Sequence, residues 1–538
     1  MNKFYNHLTS KIISFLLYLT AFICCQFSAV WAGNIVLKNS SSNILIEGEL
    51  VKFDGRMFVI KSDHFGEMTV SSRQYSCVSG TCPDITSSIK SPKAPKTKLS
   101  YLGIYGSYTI GRELLPALVD AYAQNTGATT KRIYTSDPHK LIINVKDGLG
   151  LQMSTVKILT KGSKKSFPAL ASGTAQIAMS SRPIAGNELK LLARSGIVGM
   201  TQPGKENILA LDGLQIVLSP GNPVNSLSVE QVAKIFAGKI RNWSQLGPYK
   251  GKINIHTTNA DYGLHDIFDR LVMQPNNLKM ASATKKYTSY TALSDAVARD
   301  PLGIGYTSSS YRRNAKVIAV STSCSAAKYP NAFDIKAEEY PLSFRHYLYV
   351  HGLKSKPYAK KLVKFALSGK AQPVLRKQGF IDMSPVSLSF NDQADRIITG
   401  VAAANRDFKV SLIDQFNRMF KNAERLSTTF RFQGNNHQLD NKSQIDAHNL
   451  AKLLTTRKYK NKEVYLVGFT DSRGSTDQNI VVALTRADKV KSAIIRASKG
   501  KIKPYRLNVR GYGELLPVSC NNTREGRYKN RRVEVWLR

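Results

Sequence analysis

The residues best placed to do chemistry lie near the C-terminus. Val464 to Phe469 is an apolar, β-rich run that reads as a strand delivering Asp471 into a loop, and a helix-period segment follows it. Ile480, Leu484, Ala487, Val490 and Ile494 are expected as that helix's buried stripe. At about 100° per residue, Asn479 and Arg486 fall within roughly 20° of each other, so both can face the loop holding Asp471. An acid and a base then flank one pocket. That pair suits a zwitterionic amino-acid centre, whose ammonium meets the carboxylate and whose carboxylate meets the guanidinium fork. The plainer alternative is a surface ion pair.

A second constellation sits in the middle of the chain. Ser107, Tyr108 and Thr109 precede an amphipathic stripe of Leu114, Leu115, Leu118, Val119 and Tyr122. Hydroxyls and unpaired backbone N–H groups therefore meet at a positive helix end, which favours an anion. Ser180, Ser181 and Arg182, closed by Pro183, add two hydroxyls and a guanidinium from another loop. Simple helix capping by Ser107 and Thr109, with a solvated Arg182, is the competing reading.

Around these residues the 538-residue chain divides by composition. Lys3 and Lys11 precede an apolar stretch, Ile12 to Cys25, and SAVWA (28–32) offers small residues for cleavage near Ala32, so residues 1–32 read as a signal peptide. The stretch is shorter than the ~20 residues of a spanning helix. AFIC (21–24) lacks the small residue expected immediately before a lipidated cysteine, which argues against a lipid anchor at Cys24 or Cys25. The mature protein is therefore expected in the periplasm. There, Cys77 and Cys82 of CVSGTC are close enough for a disulfide, with a metal site the weaker alternative; the pairing of Cys324 and Cys520 stays open. Residues 33–85 alternate apolar and polar positions (Ile44, Ile46, Leu50, Phe53, Met57, Val59) and read as a small β-rich domain. Residues 86–99 are a Ser/Pro/Lys linker, 100–386 an αβ-patterned domain, 387–422 a helical spacer and 423–538 the terminal domain.

The excess of 77 Lys plus Arg over 37 Asp plus Glu, a net +40, would suit nucleic acid. Export argues against it, and neither a recognition helix nor an aromatic-basic platform is found. Peptidoglycan carboxylates and phosphorylated lipids are the polyanions that such a charge would meet. HExxH, G-x-S-x-G, GxxxxGK[ST] and a complete GxGxxG are all missing, so an enzyme is not expected, nor is a cofactor.

Two families are recognisable. GFTDSRGSTDQNIVVALTRADKVKSAI (468–494), AERLSTTFRF (423–432), the Gly-Tyr-Gly turn of 511–513 and NRRVE (530–534) resemble the OmpA-like peptidoglycan-binding domain, an α+β fold. The resemblance implies that Asp471 and Arg486, with Asn479 beside them, hold the diaminopimelate of a peptidoglycan stem. The 100–386 region resembles phosphate-type periplasmic substrate-binding proteins in GIYGSYTIGRELLPALVDAYAQNTG (103–127), GTAQIAMSSRPI (173–184), SPGNPVNSLSVEQVAKIFAGKIRNWSQLG (219–247), DPLGIGYTS (300–308) and EEYPLSFRHYLYV (338–350). That resemblance implies an α/β, two-lobed type II periplasmic-binding-protein fold closing on phosphate or a related oxyanion. In the third loop, TNADYGLHDIF (258–268), only Gly263 keeps the family pattern; Thr258, Tyr262 and Leu264 replace the expected Arg, Ser and Thr, and His265 is a candidate to replace the lost cation, with an exposed or merely packed histidine as the commoner alternative.

Together these imply a solute-binding protein of the periplasm, tethered to the cell wall near the outer membrane of a Gram-negative bacterium, with peptidoglycan and an oxyanion as ligands and an ABC permease as a further partner. The alternative is an envelope structural protein whose substrate-binding fold has become an interaction module.

Overall fold

The computed structural model describes residues 33–83 apart from 41, 55–56 and 73, and residues 100–538 apart from 260–262, 353–355, 395, 399–409 and 434–437. The expected signal peptide and the 86–99 linker lie outside the described residues. The chain forms two compact units, one ending at Lys98 and the other running from Leu99 to Arg538.

In the first unit, five antiparallel strands form one sheet in the order Gly66–Ser71, Met57–Ser62, Leu45–Phe53, Asn34–Asn39, Tyr75–Gly80. Ile35, Leu37, Ile46, Leu50, Phe58 and Ile60 make its core. Ile44 is exposed, and Met57 and Val59 are only half-buried, because the period of two turns Phe58 and Ile60 inward on that strand. Cys77 and Cys82 are joined by a disulfide.

The second unit opens with two α/β lobes. The first is built on a seven-stranded sheet ordered Glu206–Gly213, Ser343–Val350, Ile177–Ser180, Ser100–Gly106, Gln152–Leu159, Lys140–Lys146, Thr129–Tyr134. The second is built on Lys285–Tyr287, Asn254–Thr258, Gly303–Thr307, Gln215–Leu218 and Lys316–Val317. The chain leaves the first lobe at Leu214 and returns just before Ser343. The two crossings hold each other: Leu214 N–H donates to the Leu342 carbonyl (3.0 Å), and the Tyr340 hydroxyl donates to the Leu214 carbonyl (2.8 Å). The helix Leu115–Asn125 buries Leu115, Leu118, Val119 and Tyr122 against the first sheet, as its stripe predicts.

The terminal domain is a mixed sheet ordered Ser387–Ser389, Glu424–Gln433, Arg532–Leu537, Val464–Phe469, Leu507–Gly511. Helices Asn441–Leu454 and Thr476–Ser498 cover one face. Residues 387–422 are more than a spacer. Ser387–Ser389 adds an edge strand, and Phe416 and Phe420 of the helix Val410–Phe420 fill the opposite face with Tyr465, Phe469 and Trp536. Phe416 and Phe420, spaced i and i+4 on one helix face, pack on Trp536 of that sheet and on Tyr512 just after it.

Buried charges tie this domain to the lobes. The guanidinium of Arg425, 0 % exposed, meets Glu339 of the returning crossover and lies 3.1 Å from Glu534. Arg431 Nε donates to Glu338 (2.9 Å), which also takes Arg345 Nε (2.5 Å). Burial pushes the carboxyls of Glu338 and Glu339 up, but Arg345 and Arg425 respectively, aided by neighbouring cations, hold each well below the usual carboxylate range. Asn441 Nδ2 donates to the Thr201 carbonyl and to Glu206 of the first lobe, each at 2.9 Å. Cys324, in the turn after the second-lobe strand Ala319–Thr322, is disulfide-bonded to Cys520.

Removing Glu339 leaves Arg425 without its interdomain partner in a buried site. Glu339→Ala is expected to lower unfolding free energy by about 3 to 5 kcal/mol in denaturant titration; a loss below about 1 kcal/mol, the range of an exposed pair, would contradict the role given to this pair. Because both carboxyls titrate below their unfolded values, their stabilisation is present above the unfolded carboxylate pKa, about 4.3, and is lost as pH falls through the depressed values.

Candidate functional site

In the terminal domain, strand Val464–Phe469 delivers Asp471 and helix Thr476–Ser498 presents Asn479 and Arg486, all largely buried. The helix lies unusually close to the sheet: a Cβ on Gly468 would come 2.0 Å from the Ala483 carbonyl oxygen, and one on Gly511 2.7 Å from that of Ile480. This close approach accounts for Gly468 and for Gly511 of the Gly-Tyr-Gly turn, whose Gly513 has a positive φ of 52°. It also changes the helix's inner stripe, which is Ala483, Ala487, Val490 and Ile494; Ile480 is half-buried and Leu484 is 38 % exposed.

Asp471 Oδ2 accepts from Arg531 Nη1 at 2.9 Å, and Oδ1 accepts from the Arg473 N–H at 3.2 Å. Arg486 is 7 % exposed, lies over the Phe432 ring at 5.7 Å, and its Nε and Nη1 have no hydrogen-bond partner among the described residues. Burial pushes its pKa down to about 10, Arg531 adds to the shift, and Asp471 opposes it, so it stays charged at neutral pH. Asn479 Nδ2 donates to Glu514 Oε2 at 2.7 Å. Arg531 and Glu514 were given no role by sequence reasoning, although NRRVE and the segment after Gly-Tyr-Gly were visible; their partners are set by the fold. The result is a guanidinium already stripped of water beside a carboxylate with lone pairs to spare, which can take a carboxylate and an ammonium together.

In the lobes, Ser107 and Ser181 come together, with Oγ atoms 2.7 Å apart, and Ser181 Oγ lies 3.1 Å from His346 Nδ1. Gly263, at the start of helix Gly263–Phe268 in the second lobe, faces them: a Cβ there would lie 3.9 Å from Ser107 Oγ and 4.0 Å from Thr109 Oγ1. Tyr108 packs edge-on against Tyr290 at 5.6 Å. Four expected residues, Ser107, Thr109, Ser181 and Gly263, thus converge across the lobes.

The others do not present free donors. Ser180 Oγ donates to the Arg182 carbonyl at 2.7 Å, within its own loop. Arg182 makes a two-pronged pair with Glu188 (2.8 and 2.7 Å) and donates Nε to Asp266 of the second lobe at 3.2 Å. Lys164 reaches the same Asp266 at 3.1 Å. His265 Nδ1 lies 3.2 Å from the Tyr306 hydroxyl, and burial pushes its pKa below the usual value, so the imidazole is not a replacement cation at neutral pH. Tyr262 lies outside the described residues. Asp266 and His346 escaped sequence reasoning because their contacts with Arg182 and Ser181 span 84 and 165 positions; Glu188, six positions from Arg182, was within local reach and was missed.

Residues 121–370 match the PBP superfamily domain, and residues 431–531 match the OmpA family. The chain joins a periplasmic-binding-protein domain to an OmpA domain. Over 221 residues, 39% of this chain, it is 26% identical to a Staphylococcus aureus protein called phosphate-binding protein PstS, and the match spans 64% of that relative. The like-named protein of Staphylococcus saprophyticus is 27% identical over 227 residues, 40% of this chain and 68% of its own length. Among solved structures, an ABC-type phosphate transport receptor from Vibrio cholerae aligns at 22% identity and a TM-score of 0.39, covering 52% of this chain and 99% of its own. Among the described residues no helix is long and apolar enough to cross a membrane.

A buried guanidinium with unmatched N–H groups costs stability in the free protein. Arg486→Met is expected to leave unfolding free energy unchanged or to raise it by about 1 to 3 kcal/mol, measured by denaturant titration. A loss of more than about 2 kcal/mol would mean that Arg486 is a structural residue first.

Proposed function

We propose that this is a periplasmic, envelope-associated solute-binding protein that takes phosphate or a related oxyanion between its lobes and holds peptidoglycan through its terminal domain. The observation that carries the reading is the meeting of Ser107, Thr109 and Ser181 of one lobe with Gly263 of the other. Hydroxyls and the backbone N–H groups of a helix start supply anion donors there. The names of the staphylococcal relatives support phosphate as the first ligand to test. The unmatched guanidinium of Arg486 beside Asp471 supports the wall site, with the zwitterionic centre of diaminopimelate as its ligand. An ABC permease is the partner that such a receptor would serve.

A second reading, an interaction module without a solute, is favoured by one observation. Asp266 brings the second lobe's own carboxylate to Arg182 and Lys164, so the strongest cations of the cleft already have an anion.

Calorimetric titration of the mature protein separates the readings. Phosphate or sulfate is expected to bind in the micromolar range or more weakly, about −8 kcal/mol or smaller in magnitude, because neutral donors carry the site. Neither heat nor thermal stabilisation at millimolar anion would leave the interaction module. For the wall, the mature protein should sediment with diaminopimelate-type peptidoglycan, and Asp471→Ala or Arg486→Ala should weaken this by about 2 to 5 kcal/mol. Undiminished sedimentation of the double variant would dispose of the assigned pocket.

A further inference from the structure

Behind the cleft, Ser107 and Ser181 continue into a polar chain whose inner members, His346 and Asp212, the oxyanion reading does not use. Ser107 Oγ is 2.7 Å from Ser181 Oγ, Ser181 Oγ is 3.1 Å from His346 Nδ1, and His346 Nε2 is 3.6 Å from Asp212 Oδ2. All four side chains are at most 1 % exposed. Asp212 Oδ1 accepts the Gly213 N–H at 2.8 Å, whereas Asp212 Oδ2 and His346 Nε2 have no hydrogen-bond partner among the described residues and face each other. Phe344 and Phe380 stand edge-on to the imidazole at 5.1 and 5.2 Å. Tyr340 and Tyr311 are the other titratable groups in reach of Asp212, and burial raises the pKa of both phenols, so they stay neutral. Among the described residues Asp212 is the one acidic group within 4 Å of the His346 imidazole nitrogens.

The direction of the chain depends on one proton. An ionised Asp212 can only accept, which favours hydrogen on the nitrogen that faces it in either charge state of the imidazole. When His346 is neutral, Nδ1 is therefore an acceptor. Ser181 must donate to it, Ser107 donates to Ser181, and Ser107 turns lone pairs toward Gly263 and the second lobe. When His346 is protonated, Nδ1–H donates to Ser181, the Ser181 hydrogen turns to Ser107, and the Ser107 hydrogen is released toward the cleft. An oxyanion that only accepts is repelled by the first arrangement and bound by the second. The positive imidazolium acts in the same direction.

We propose that His346, backed by Asp212, is a positioning residue that couples oxyanion binding in the cleft to the uptake of one proton. This rests on the cleft reading above. Affinity is higher when His346 carries the second proton and falls when that proton is lost.

The test is calorimetric titration of the mature protein with inorganic sulfate and inorganic phosphate at fixed ionic strength, in buffers of different ionisation enthalpy, over about pH 5 to 8, where an imidazole changes charge. Sulfate keeps one charge over that range, so any proton taken up belongs to the protein. Uptake approaching one proton per anion is expected at the upper end. His346→Asn, which keeps an amide near the Nδ1 position but does not titrate, should flatten the pH dependence with sulfate and reduce the uptake with phosphate by the same amount. Asp212→Asn should move the fall in affinity to lower pH, a shift that a packing role would not produce, and it decides the matter if His346→Asn fails to fold. Unaltered sedimentation with peptidoglycan and an unaltered melting curve check folding. Binding without proton uptake, or uptake unchanged in His346→Asn and a pH profile unmoved in Asp212→Asn, overturns this inference alone. If neither anion binds at any pH, the cleft reading itself falls.

Discussion

The arginines buried between the lobes and the terminal sheet constrain most of this architecture. Arg425, Arg431 and Arg532 are at most 1 % exposed, and a guanidinium in such a place is tolerable only with carboxylates held against it. Glu338 and Glu339 come from the crossover that returns to the first lobe, and Glu534 from the strand Arg532–Leu537. The hinge of one domain and the sheet of the other must therefore meet in one register. The compactness of Leu99–Arg538 as a single unit follows from that requirement.

The terminal domain consequently touches both sides of the cleft. Asn441 reaches Thr201 and Glu206 beside the first lobe's edge strand, while Cys520 is bonded to Cys324 beyond the second lobe's sheet. A cross-link closing nearly two hundred residues restricts the unfolded chain strongly, and the ion pairs act on the folded one. An OmpA domain joined in this way is continuous with the lobes, so the two candidate sites belong to one body.

The two sites are prepared differently. At the terminal domain, the cost of removing water from Arg486 is already met in the free protein, and its donors stand unmatched. In the cleft, Arg182 is matched on both sides by Glu188 and Asp266, and the groups left to meet an anion are hydroxyls and backbone N–H groups. The first arrangement favours tight capture of a charged group; the second favours weak, adjustable binding that depends on how hydroxyl hydrogens are oriented.

Much of this was legible in the residues alone. Helix-period stripes such as Leu115, Leu118, Val119 and Tyr122, the strand leading to Asp471, and the seven-residue interval from Asn479 to Arg486 are local properties, and local periodicity fixes which side chains share a face. The short CVSGTC loop likewise limits which cysteines can meet. Only the tertiary structure decided the rest. Leu484 lost its place in the helix's buried stripe to Ala483 because Gly468 and Gly511 let the helix settle closely on the sheet. Residues 387–422 read as a spacer until Phe416 and Phe420 found Trp536. Arg182 read as a free anion donor although Glu188 stands six positions away, with Asp266 hidden 84 positions off, and His265 read as a candidate cation because its burial is invisible in sequence. Burial, charge pairing and hydrogen-bond direction depend on groups far apart in the chain, which no local pattern records.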